Sequence, residues 1–519
     1  MLSINSKGDL LTKKSITRKI YNNQNIFSSL LKLSENEHSE KRRIELLKFS
    51  SKWACTEHTG RFSSLELETM LHDIAQKHPV KNKKVQTNSY LHVMTSSYSI
   101  GGHTPLANQW IKQSNENEKH SLVLLNQIVD IPSWLLKSIS EKNGDVFQFD
   151  YQQDDLTRAM LLRDIAIEYD YIILHVDMHD IIPALAFSHT EFSRPIVFVN
   201  HADHTFSLGL SYSDIISDLS VDGANFTQTK RGKVNSSIVT IPIKIDSHPL
   251  KTRVEALSEL NLTLEKDQKV LLSMASAYKF HFFENYPFID MALTLLESNP
   301  NLLIFVIGPD KQQDKKWQEA YQKSNGKLNA IGYKEHDEVL LYKSITDIYI
   351  DSFPFISYTS FLEFAAKGIP SLSLKTELNA LDILKDTPNF CNDTHQLISV
   401  IQNIINNDDT SIYDLSQKVM LSYAPNELWK KKKYELLSSI PKQHSLHWDF
   451  SHKSNVDTYD IELYLIGQGR SPKALFFKKI DPVNNLKIML IFLKFKHLNY
   501  ITLLPYFFKI IKTIFKRVK

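Results

Sequence analysis

The first 85 residues carry apolar side chains at helical spacing between polar ones. In the segment SSLLKLSENEHSEKRRIELLKF, Leu30 and Leu33 lie three positions apart, as do Ile44 and Leu47, among lysine, glutamate and serine. No run typical of a strand interrupts this part of the sequence. The pattern therefore predicts a small helical cap over residues 1–85.

From residue 86 the pattern changes to short apolar runs separated by helical stretches. The runs SYLHVMTSS, SLVLLNQ, YIILHVD and PIVFVNH are rich in valine, isoleucine and leucine, as buried strands are. Segments with helical spacing, such as PLANQWIKQS and DLTRAMLLRDIAIEY, lie between them. This alternation predicts βα units around a parallel sheet over residues 86–245.

A second βα series follows over residues 246–440, with runs such as KVLLSMAS, NLLIFVIG and DIYIDSF. The expected fold class is therefore α/β, with two doubly wound, Rossmann-like domains. Ligands of such sheets bind beyond the carboxyl ends of the strands, so we expect the site in a cleft that the two domains face. The sequence has no Walker loop and no GxGxxG motif, which disfavours a P-loop nucleotide triphosphatase and a dinucleotide enzyme.

The C-terminal extension, residues 441–519, ends in a basic amphipathic tail. Residues 482–519 contain no acidic side chain and eight basic ones among runs such as IMLIFL and YFFKIIKTIF. The longest unbroken apolar run is far shorter than the roughly 20 residues that span a bilayer. The tail is typical of a segment that lies on an anionic membrane surface, and the alternative is a terminal helix packed on the body.

Composition excludes several classes of protein. The net charge of +3 disfavours a general nucleic-acid binder, so no nucleic-acid partner is expected. Two cysteines, Cys55 and Cys391, are too few for a disulfide framework or a thiolate metal site. The N-terminal residues also lack the apolar core of a secretory signal. We therefore expect a cytoplasmic protein, with the tail as a peripheral contact to the inner face of the plasma membrane.

Polar side chains follow the predicted strands of the first α/β domain. Gly101 and Gly102 form a glycine pair that would let the backbone turn tightly and approach a ligand, and His103 follows at the start of a helix. A histidine titrates near neutrality and can act as a base. Other candidates follow two further strands: Asp177, His179 and Asp180 in one segment, and His201, Asp203 and His204 in another.

These histidines and aspartates are also metal-ligand types. Three strand ends at one edge of a sheet would converge whether or not a metal were present, however. The sequence has no HExxH motif and no HxH pair backed by a third ligand. We therefore expect no metal site.

The second α/β domain carries residues suited to a nucleoside diphosphate. Lys279 follows a strand, where its charge can reach a phosphate oxygen. In DSFPFISYTSFLEFAAKGIP, Thr359 and Ser360 are expected to cap a helix whose N–H groups would hold a diphosphate. Glu363, one turn inside that helix, is placed to accept hydrogen bonds from a ribose.

Taken in order, these segments resemble the catalytic region of the O-linked N-acetylglucosaminyltransferases and their bacterial relatives. The resemblance covers roughly residues 86–440 and rests on SSYSIGGHTP, LHVDMHD, MASAYKF and DSFPFISYTSFLEFAAKGIPSL. Tyr358 stands where that family commonly has a histidine over the donor. The tetratricopeptide repeats that present protein acceptors in the eukaryotic members are absent.

The resemblance implies a GT-B fold and a glycosyltransferase that moves a sugar from a nucleotide donor, UDP-linked, to an acceptor hydroxyl. It also implies inversion at the anomeric carbon. A fixed lysine, hydroxyls and a helix N-terminus would stabilise the leaving diphosphate without a metal, so no cofactor besides the donor substrate is expected. We further expect a role in bacterial surface glycan synthesis, with a glycan or lipid-linked glycan acceptor. The alternatives are a protein O-glycosyltransferase, a nucleotide-sugar epimerase and a non-catalytic nucleotide-sugar-binding module.

The resemblance places His103 in the active site, and the chemistry of the other strand-end residues adds further candidates for the base. His103 is the first candidate for the base, and Asp177, His179 and His201 are the other candidates. The residues expected to bind the donor are Gly102, Lys279, Tyr358, Thr359, Ser360 and Glu363.

Overall fold

The computed structural model describes most of the chain, with side chains from Lys13 onward. The described residues are 2–4, 10–99, 102–202, 204–240, 243, 249–280, 288–376, 381–407, 410–423, 426–450, 456–457, 460–461, 463–464 and 480–495.

The chain divides into two compact units. The N-terminal unit comprises Lys13–Val239 and Lys430–Lys519, and the C-terminal unit comprises Met1–Thr12 and Thr240–Trp429. The segment that follows the second βα series therefore belongs to the N-terminal unit. The four-segment division drawn from the sequence stays a prediction.

Residues 13–75 of the N-terminal unit are largely helical, as their apolar spacing predicts. The helices are α1 (Lys13–Glu35), α2 (Glu40–Thr56) and α3 (Leu65–Ala75). Their buried side chains, including Phe27, Leu47 and Leu71, join the same hydrophobic core as the sheet that follows. The expectation that residues 1–85 contain no strand is wrong at the start of the chain, where β1 (Leu2–Ile4) pairs antiparallel with β2 (Leu10–Thr12). Three-residue strands are too short to produce a recognisable apolar alternation.

The described residues of the N-terminal unit form a seven-stranded parallel sheet. Its order is β5-β4-β3-β6-β7-β8-β9, so the strand order reverses direction between β3 and β6. The strands are β3 (Gln86–Met94), β4 (Lys119–Leu124), β5 (Val146–Gln148), β6 (Tyr169–His175), β7 (Ile196–Asn200), β8 (Ile215–Asp218) and β9 (Ser236–Ile238). The intervening helices are α4 (His103–Lys112), α5 (Ser133–Glu141), α6 (Asp155–Ala166), α7 (Ile181–Phe187) and α8 (Val221–Thr229).

The described residues of the C-terminal unit form a six-stranded parallel sheet with the same winding. Its order is β12-β11-β10-β13-β14-β15, with the reversal between β10 and β13. The strands are β10 (Lys269–Met274), β11 (Leu302–Ile307), β12 (Leu328–Ala330), β13 (Ile348–Ile350), β14 (Ser371–Leu374) and β15 (Phe390–Cys391). The helices are α9 (Arg253–Glu259), α10 (Phe288–Ser298), α11 (Lys315–Lys323), α12 (His336–Ile345), α13 (Thr359–Ala365), α14 (Thr394–Asn406), α15 (Ser416–Tyr423) and α16 (Asn426–Ser439). Helix α16 begins in this unit and continues into the N-terminal unit from Lys430.

Both sheets have the order of a Rossmann fold, which confirms the predicted α/β class. Central strands such as β10 and β13 are buried on both faces, which explains why they read as unbroken apolar runs in the sequence. In each unit, the reversal of strand order creates a crevice at the carboxyl ends of the two strands that flank it.

The described part of the basic tail is helix α17 (Pro482–Lys494), which packs on α1 and α2. Ile488, Met489 and Phe492 are buried, and the ring of Phe492 lies 4.9 Å from that of Trp53. Within the described residues, no helix is both long and apolar enough to cross a membrane. Residues 496–519 of the tail lie outside the described residues.

Candidate active site

The candidate base residues follow neighbouring strands of the N-terminal sheet. His103 comes after β3, Asp177 and His179 come after β6, and His201 comes after β7. Since β3, β6 and β7 are adjacent and parallel, these residues share the carboxyl edge of the sheet. His103 and Asp177 thus flank the point where the strand order reverses.

His103 is fixed by the backbone of the neighbouring strand. It is the first residue of α4, and its Nε2 donates to the carbonyl oxygen of His175 at 2.7 Å. Burial lowers its pKa, against the opposing effects of that hydrogen bond and of Asp177. The neutral ring that donates through Nε2 has an unprotonated Nδ1, which is the nitrogen a general base uses.

The glycine before His103 does not have the role that the sequence suggests. Gly102 has a φ of −82°, an ordinary value for any residue, and a Cβ built there would meet no atom within 4 Å. The expectation that Gly102 is needed for a tight turn is therefore wrong. Its role in donor binding stays a prediction, and Gly101 lies outside the described residues.

His201 lies against His103, with ring centroids 4.4 Å apart. Burial, followed by the neighbouring His103, lowers the pKa of His201 to about 3, so the ring is neutral near pH 7. Arg231 holds the loop after β7, because its Nη2 donates to the carbonyl oxygens of Ala202 and Thr205. The structure thus brings His201 to His103, while Asp203 lies outside the described residues.

The two aspartates after β6, Asp177 and Asp180, have different roles. Asp180 caps α7 through the N–H of Ile182 at 3.0 Å and accepts a hydrogen bond from Thr95 at 2.7 Å. The same Thr95 oxygen accepts from the N–H of Asp177, whose side chain is exposed. Asp180 therefore organises the turn, and Asp177 is the carboxylate of this segment that interacts with His103.

His179 is placed differently from the other candidate bases. Burial lowers its pKa, and the charges that act on it include Lys48 and Lys52 of α2 as well as Asp177 and Asp180. Its carbonyl oxygen accepts a hydrogen bond from Ser51, also on α2. Among the described residues, the contacts found for His179 link it to the N-terminal helices rather than to His103.

His175 is the residue of this edge that sequence reasoning missed. It is fully buried, it supplies the carbonyl that holds His103, and its side chain bonds to His92 on β3. The signal in the sequence is a histidine inside each of three apolar strands, in LHVM, KHSL and ILHV. A histidine within a buried strand requires a polar partner on a neighbouring strand.

In the C-terminal unit, Lys279 is joined to the loop that follows β13. It lies in a short 3-10 helix after β10, and its Nζ donates to the carbonyl oxygen of Ile356 at 2.7 Å. The same nitrogen lies 5.2 Å from the ring centroid of Phe355. Strands β10 and β13 flank the reversal of this second sheet, so Lys279 and the loop before Tyr358 meet at its crevice.

Asp351 organises this loop from inside. Its Oδ1 accepts from the N–H groups of Ser352 and Ser357, each at 2.8 Å. Burial raises the pKa of Asp351 to about 6, although these hydrogen bonds and the charge of Lys279 favour its ionised form. The DSFP segment of the sequence thus acts as a scaffold for the turn.

The turn at Tyr358 differs from the predicted cap. Helix α13 begins at Thr359, and the residue before it, Tyr358, has φ +62° and ψ −80°. The N–H of Thr359 donates to the carbonyl of Ser357, and the N–H of Phe361 donates to the Ser357 hydroxyl. The expectation that Thr359 and Ser360 cap the helix is therefore wrong, since Tyr358 occupies the N-cap position and the Ser357 hydroxyl accepts the N–H of Phe361. A tyrosine at positive φ is strained, as residues at ligand-binding turns often are.

Glu363 lies within α13, with its carboxylate 3.7 Å from Nζ of the buried Lys343. Its predicted contact with a ribose, like the donor roles of Lys279, Tyr358, Thr359 and Ser360, stays a prediction. Among the described residues, no group of three or more histidine, cysteine, aspartate or glutamate side chains is arranged to hold a metal ion.

Comparison with known proteins gives matches in structure only. No protein-family model and no curated protein sequence matches this chain. Anabaena HepE, solved with UDP and glucose, is 14% identical with a TM-score of 0.53 over 68% of this chain and 100% of its own. A glycosyltransferase from Rickettsia africae is 10% identical with a TM-score of 0.51 over the same shares. The O-GlcNAc transferase of Thermobaculum terrenum is 10% identical with a TM-score of 0.47, over 87% of this chain and 83% of its own.

HepE and the Rickettsia enzyme match this chain over their whole length. Each of them aligns with 68% of this chain. The chain therefore has the fold of the GT-B glycosyltransferases.

Proposed function

We propose that this protein is a glycosyltransferase that moves a sugar from a UDP-linked donor to an acceptor hydroxyl. One observation carries the proposal. In each of the two Rossmann-like sheets, residues singled out from the sequence follow the strands that flank the reversal of strand order, where such sheets bind ligands: His103 and Asp177 in one sheet, Lys279 in the other. A solved structure of similar fold, Anabaena HepE, is a complex with UDP-glucose, which supports the choice of donor.

The C-terminal unit would bind the donor. The ammonium of Lys279 and the N–H groups at the Tyr358 turn would balance the charge that develops on the leaving diphosphate. Glu363 would accept hydrogen bonds from the ribose. These groups supply the stabilisation without a metal ion.

The N-terminal unit would bind the acceptor. The acceptor oxygen attacks the anomeric carbon while its proton passes to Nδ1 of His103. The bond from that carbon to the diphosphate oxygen breaks, and UDP leaves with the electron pair. A single displacement of this kind inverts the anomeric centre.

The acceptor we propose is a glycan of the bacterial surface, attached to a lipid. Support comes from the sequence alone, since the acid-free tail is suited to an anionic membrane where such acceptors lie.

The test is a panel of UDP-, GDP- and CMP-linked sugars, scored for the melting temperature of the full chain and for nucleotide release. A ligand that binds only the folded state raises the melting temperature. We expect UDP-sugars to raise it and to release UDP slowly, because water replaces the missing acceptor.

Other outcomes decide between the alternatives. Conversion of one UDP-sugar into another without free UDP would indicate an epimerase. A rise in melting temperature without nucleotide release, with or without added acceptors, would indicate a binding module. If no nucleotide sugar changes the melting temperature, the proposal fails.

A further inference from the structure

A row of hydrogen-bonded histidines crosses the N-terminal sheet diagonally. His120 is the second residue of β4, His92 lies two residues before the end of β3, and His175 is the last residue of β6. The Nδ1 of His120 lies 2.8 Å from Nε2 of His92, and the Nδ1 of His92 lies 3.1 Å from Nε2 of His175. We call these three residues the histidine row. All three are at most 1% exposed, so the row runs through the protein interior.

A carboxylate lies at the far end of the row. Oε2 of Glu118 is 3.5 Å from Nε2 of His120, and Oε1 accepts a hydrogen bond from the hydroxyl of Tyr434 at 2.7 Å. Burial disfavours the charged form of Glu118. The hydrogen bonds from His120 and Tyr434, with the charge of Lys433 4.0 Å away, outweigh burial and lower its pKa to about 2. Glu118 is therefore ionised at neutral pH.

This carboxylate determines the tautomer of every ring in the row. An ionised carboxylate only accepts, so Nε2 of His120 must carry the proton and its Nδ1 must be bare. That bare nitrogen accepts from Nε2–H of His92, whose own Nδ1 then accepts from Nε2–H of His175. Burial lowers the pKa of all three histidines, so each ring is neutral and holds one proton.

The near end of the row lies at the candidate base. The Nδ1 of His175 is buried and has no hydrogen-bond partner among the described residues, and the tautomer chain leaves it unprotonated. The carbonyl oxygen of the same residue holds Nε2 of His103. The rings of His103 and His201 are also close enough that a charge on either acts on His175.

Three neutral imidazoles in the same tautomer form aligned dipoles. Their N–H groups point along the row toward Glu118, and the unprotonated nitrogens of His120 and His92 face the next ring in the direction of His175, whose carbonyl holds His103. A buried carboxylate that orients a histidine and stabilises its imidazolium form is the arrangement of a catalytic triad. Here the carboxylate is separated from the base by the histidine row.

We propose that Glu118 and the histidine row are positioning residues for His103, and that they stabilise its imidazolium form as it takes the acceptor proton. This inference rests on the proposed function. When the acceptor oxygen bonds to the anomeric carbon, its proton moves to Nδ1 of His103 and the electron pair of the broken bond leaves with UDP. The positive charge that forms on His103 then acts on His175, the end of the row that lacks a proton on Nδ1.

The tautomers can be read without any substrate. The full chain, labelled with ¹⁵N-histidine, is examined by nitrogen NMR near pH 7, with signals assigned from single His→Gln variants. Neutral rings protonated at Nε2 are expected for His92, His120 and His175. A ring protonated at Nδ1, or charged, at any of these positions would overturn the proposal even if the variants below fail to fold.

Two substitutions at the centre of the row give opposite expectations. His92→Phe removes both hydrogen bonds, whereas His92→Gln offers an amide oxygen to His175 and an amide N–H to His120. A buried histidine outside the row, His189, supplies the matched control as His189→Phe. We expect kcat/KM to fall about ten-fold in His92→Phe and to recover in His92→Gln, because a base contributes through its orientation and its basicity.

The pH profile separates this role from a merely structural one. Among the described residues, the charged or titratable groups that act on His103 are His175, His201 and Asp177. Loss of the row destabilises the imidazolium, which lowers the pKa of His103. The acid limb of kcat/KM should therefore move to lower pH in His92→Phe and stay in place in His189→Phe. A uniform loss of rate with an unmoved limb would contradict the proposal.

Failure of this inference is distinguishable from failure of the proposed function. If the tautomers differ from those expected while UDP release is intact, the proposed role of the histidine row is rejected and the proposed function stands. If no nucleotide sugar binds or turns over, the proposed function is rejected, and with it the role of the row in catalysis.

Discussion

At the scale of single residues, the site is defined by side chains that are held by backbone groups. Lys279 is anchored on the carbonyl of Ile356, and His103 is anchored on the carbonyl of His175. In both cases the partner belongs to a neighbouring strand or its following loop. The position of each of these two candidate groups therefore depends on the sheet rather than on the mobility of a surface side chain.

Replacing Lys279 tests the donor side. We expect Lys279→Ala to reduce turnover about 100-fold, equivalent to roughly 3 kcal/mol, because the leaving diphosphate loses its counter-charge. The measurement is UDP release from the UDP-sugar that stabilises the protein best. Lys315→Ala, which removes an exposed lysine of the same unit, is the control and should leave the rate unchanged. Near-normal turnover in Lys279→Ala would remove this lysine from the mechanism.

Replacing His103 tests the acceptor side. Because His103 belongs to the N-terminal unit, His103→Ala should leave UDP affinity nearly unchanged while transfer falls by about 100-fold or more, the usual contribution of a general base. Calorimetric titration with UDP and a transfer assay measure the two quantities separately. A joint collapse of UDP binding and of the melting temperature would show instead that His103 is needed for folding.

At the scale of elements, α17 shows how part of the basic tail is used. Its apolar residues face α1 and α2, where Phe492 packs against Trp53 and Phe49. Nζ of Lys487 is 3.1 Å from the carboxylate of Glu37. In this helix, the alternation of basic and apolar residues serves packing and ion pairing.

Removal of this packing should lower the stability of the protein. Phe492 is 1% exposed, so Phe492→Ala should lower the free energy of unfolding by about 3–5 kcal/mol through the cavity it leaves. Leu490 in the same helix is 56% exposed, and Leu490→Ala should change that free energy by less than about 0.5 kcal/mol. Urea unfolding measures both. Equal effects of the two substitutions would show that α17 is not docked as described.

At the scale of the whole molecule, the chain forms two Rossmann-like units and returns to the first one after the second is complete. Lys433 and Tyr434 of α16 reach Ser114 and Glu118 in the N-terminal unit. His444 bonds to the buried Asp214 of the same unit at 2.9 Å. The second half of α16 and the segment around His444 thus belong to the unit that carries the candidate base.

The remaining tail is where we expect membrane contact. Residues 496–519 include six lysines and arginines and no acidic residue, and each basic residue near an anionic leaflet contributes about 1 kcal/mol. A chain that ends at Phe495 keeps α17 and should lose binding to anionic vesicles that the full chain retains. Co-sedimentation with anionic and neutral vesicles measures this. If the shortened chain binds anionic vesicles as well as the full chain, the tail does not act as a membrane anchor.

The sequence by itself determined the class of fold and the placement of most candidate residues. A buried parallel strand requires a run of apolar residues, so the end of each run in the sequence marks the end of a strand. The apolar runs alone therefore assign His103, Asp177, His201 and Lys279 to the ends of strands. Within each parallel sheet the carboxyl ends of the strands lie at the same edge. This follows from the parallel topology and does not require knowledge of side-chain positions.

Only the tertiary structure decided which groups meet. The chain enters α13 through Tyr358 at positive φ, and the Ser357 hydroxyl accepts the N–H of Phe361; no local pattern indicates this turn, because a tyrosine rarely adopts a positive φ. The histidine row depends on the register between β4, β3 and β6, which lie far apart in the sequence. Likewise, residues 430 onward belong to the N-terminal unit because their side chains fit partners some 200 to 300 residues earlier, such as Asp214 and Glu118. Contacts between distant segments are set by the packing of the folded chain, so the local periodicity of the sequence does not predict them.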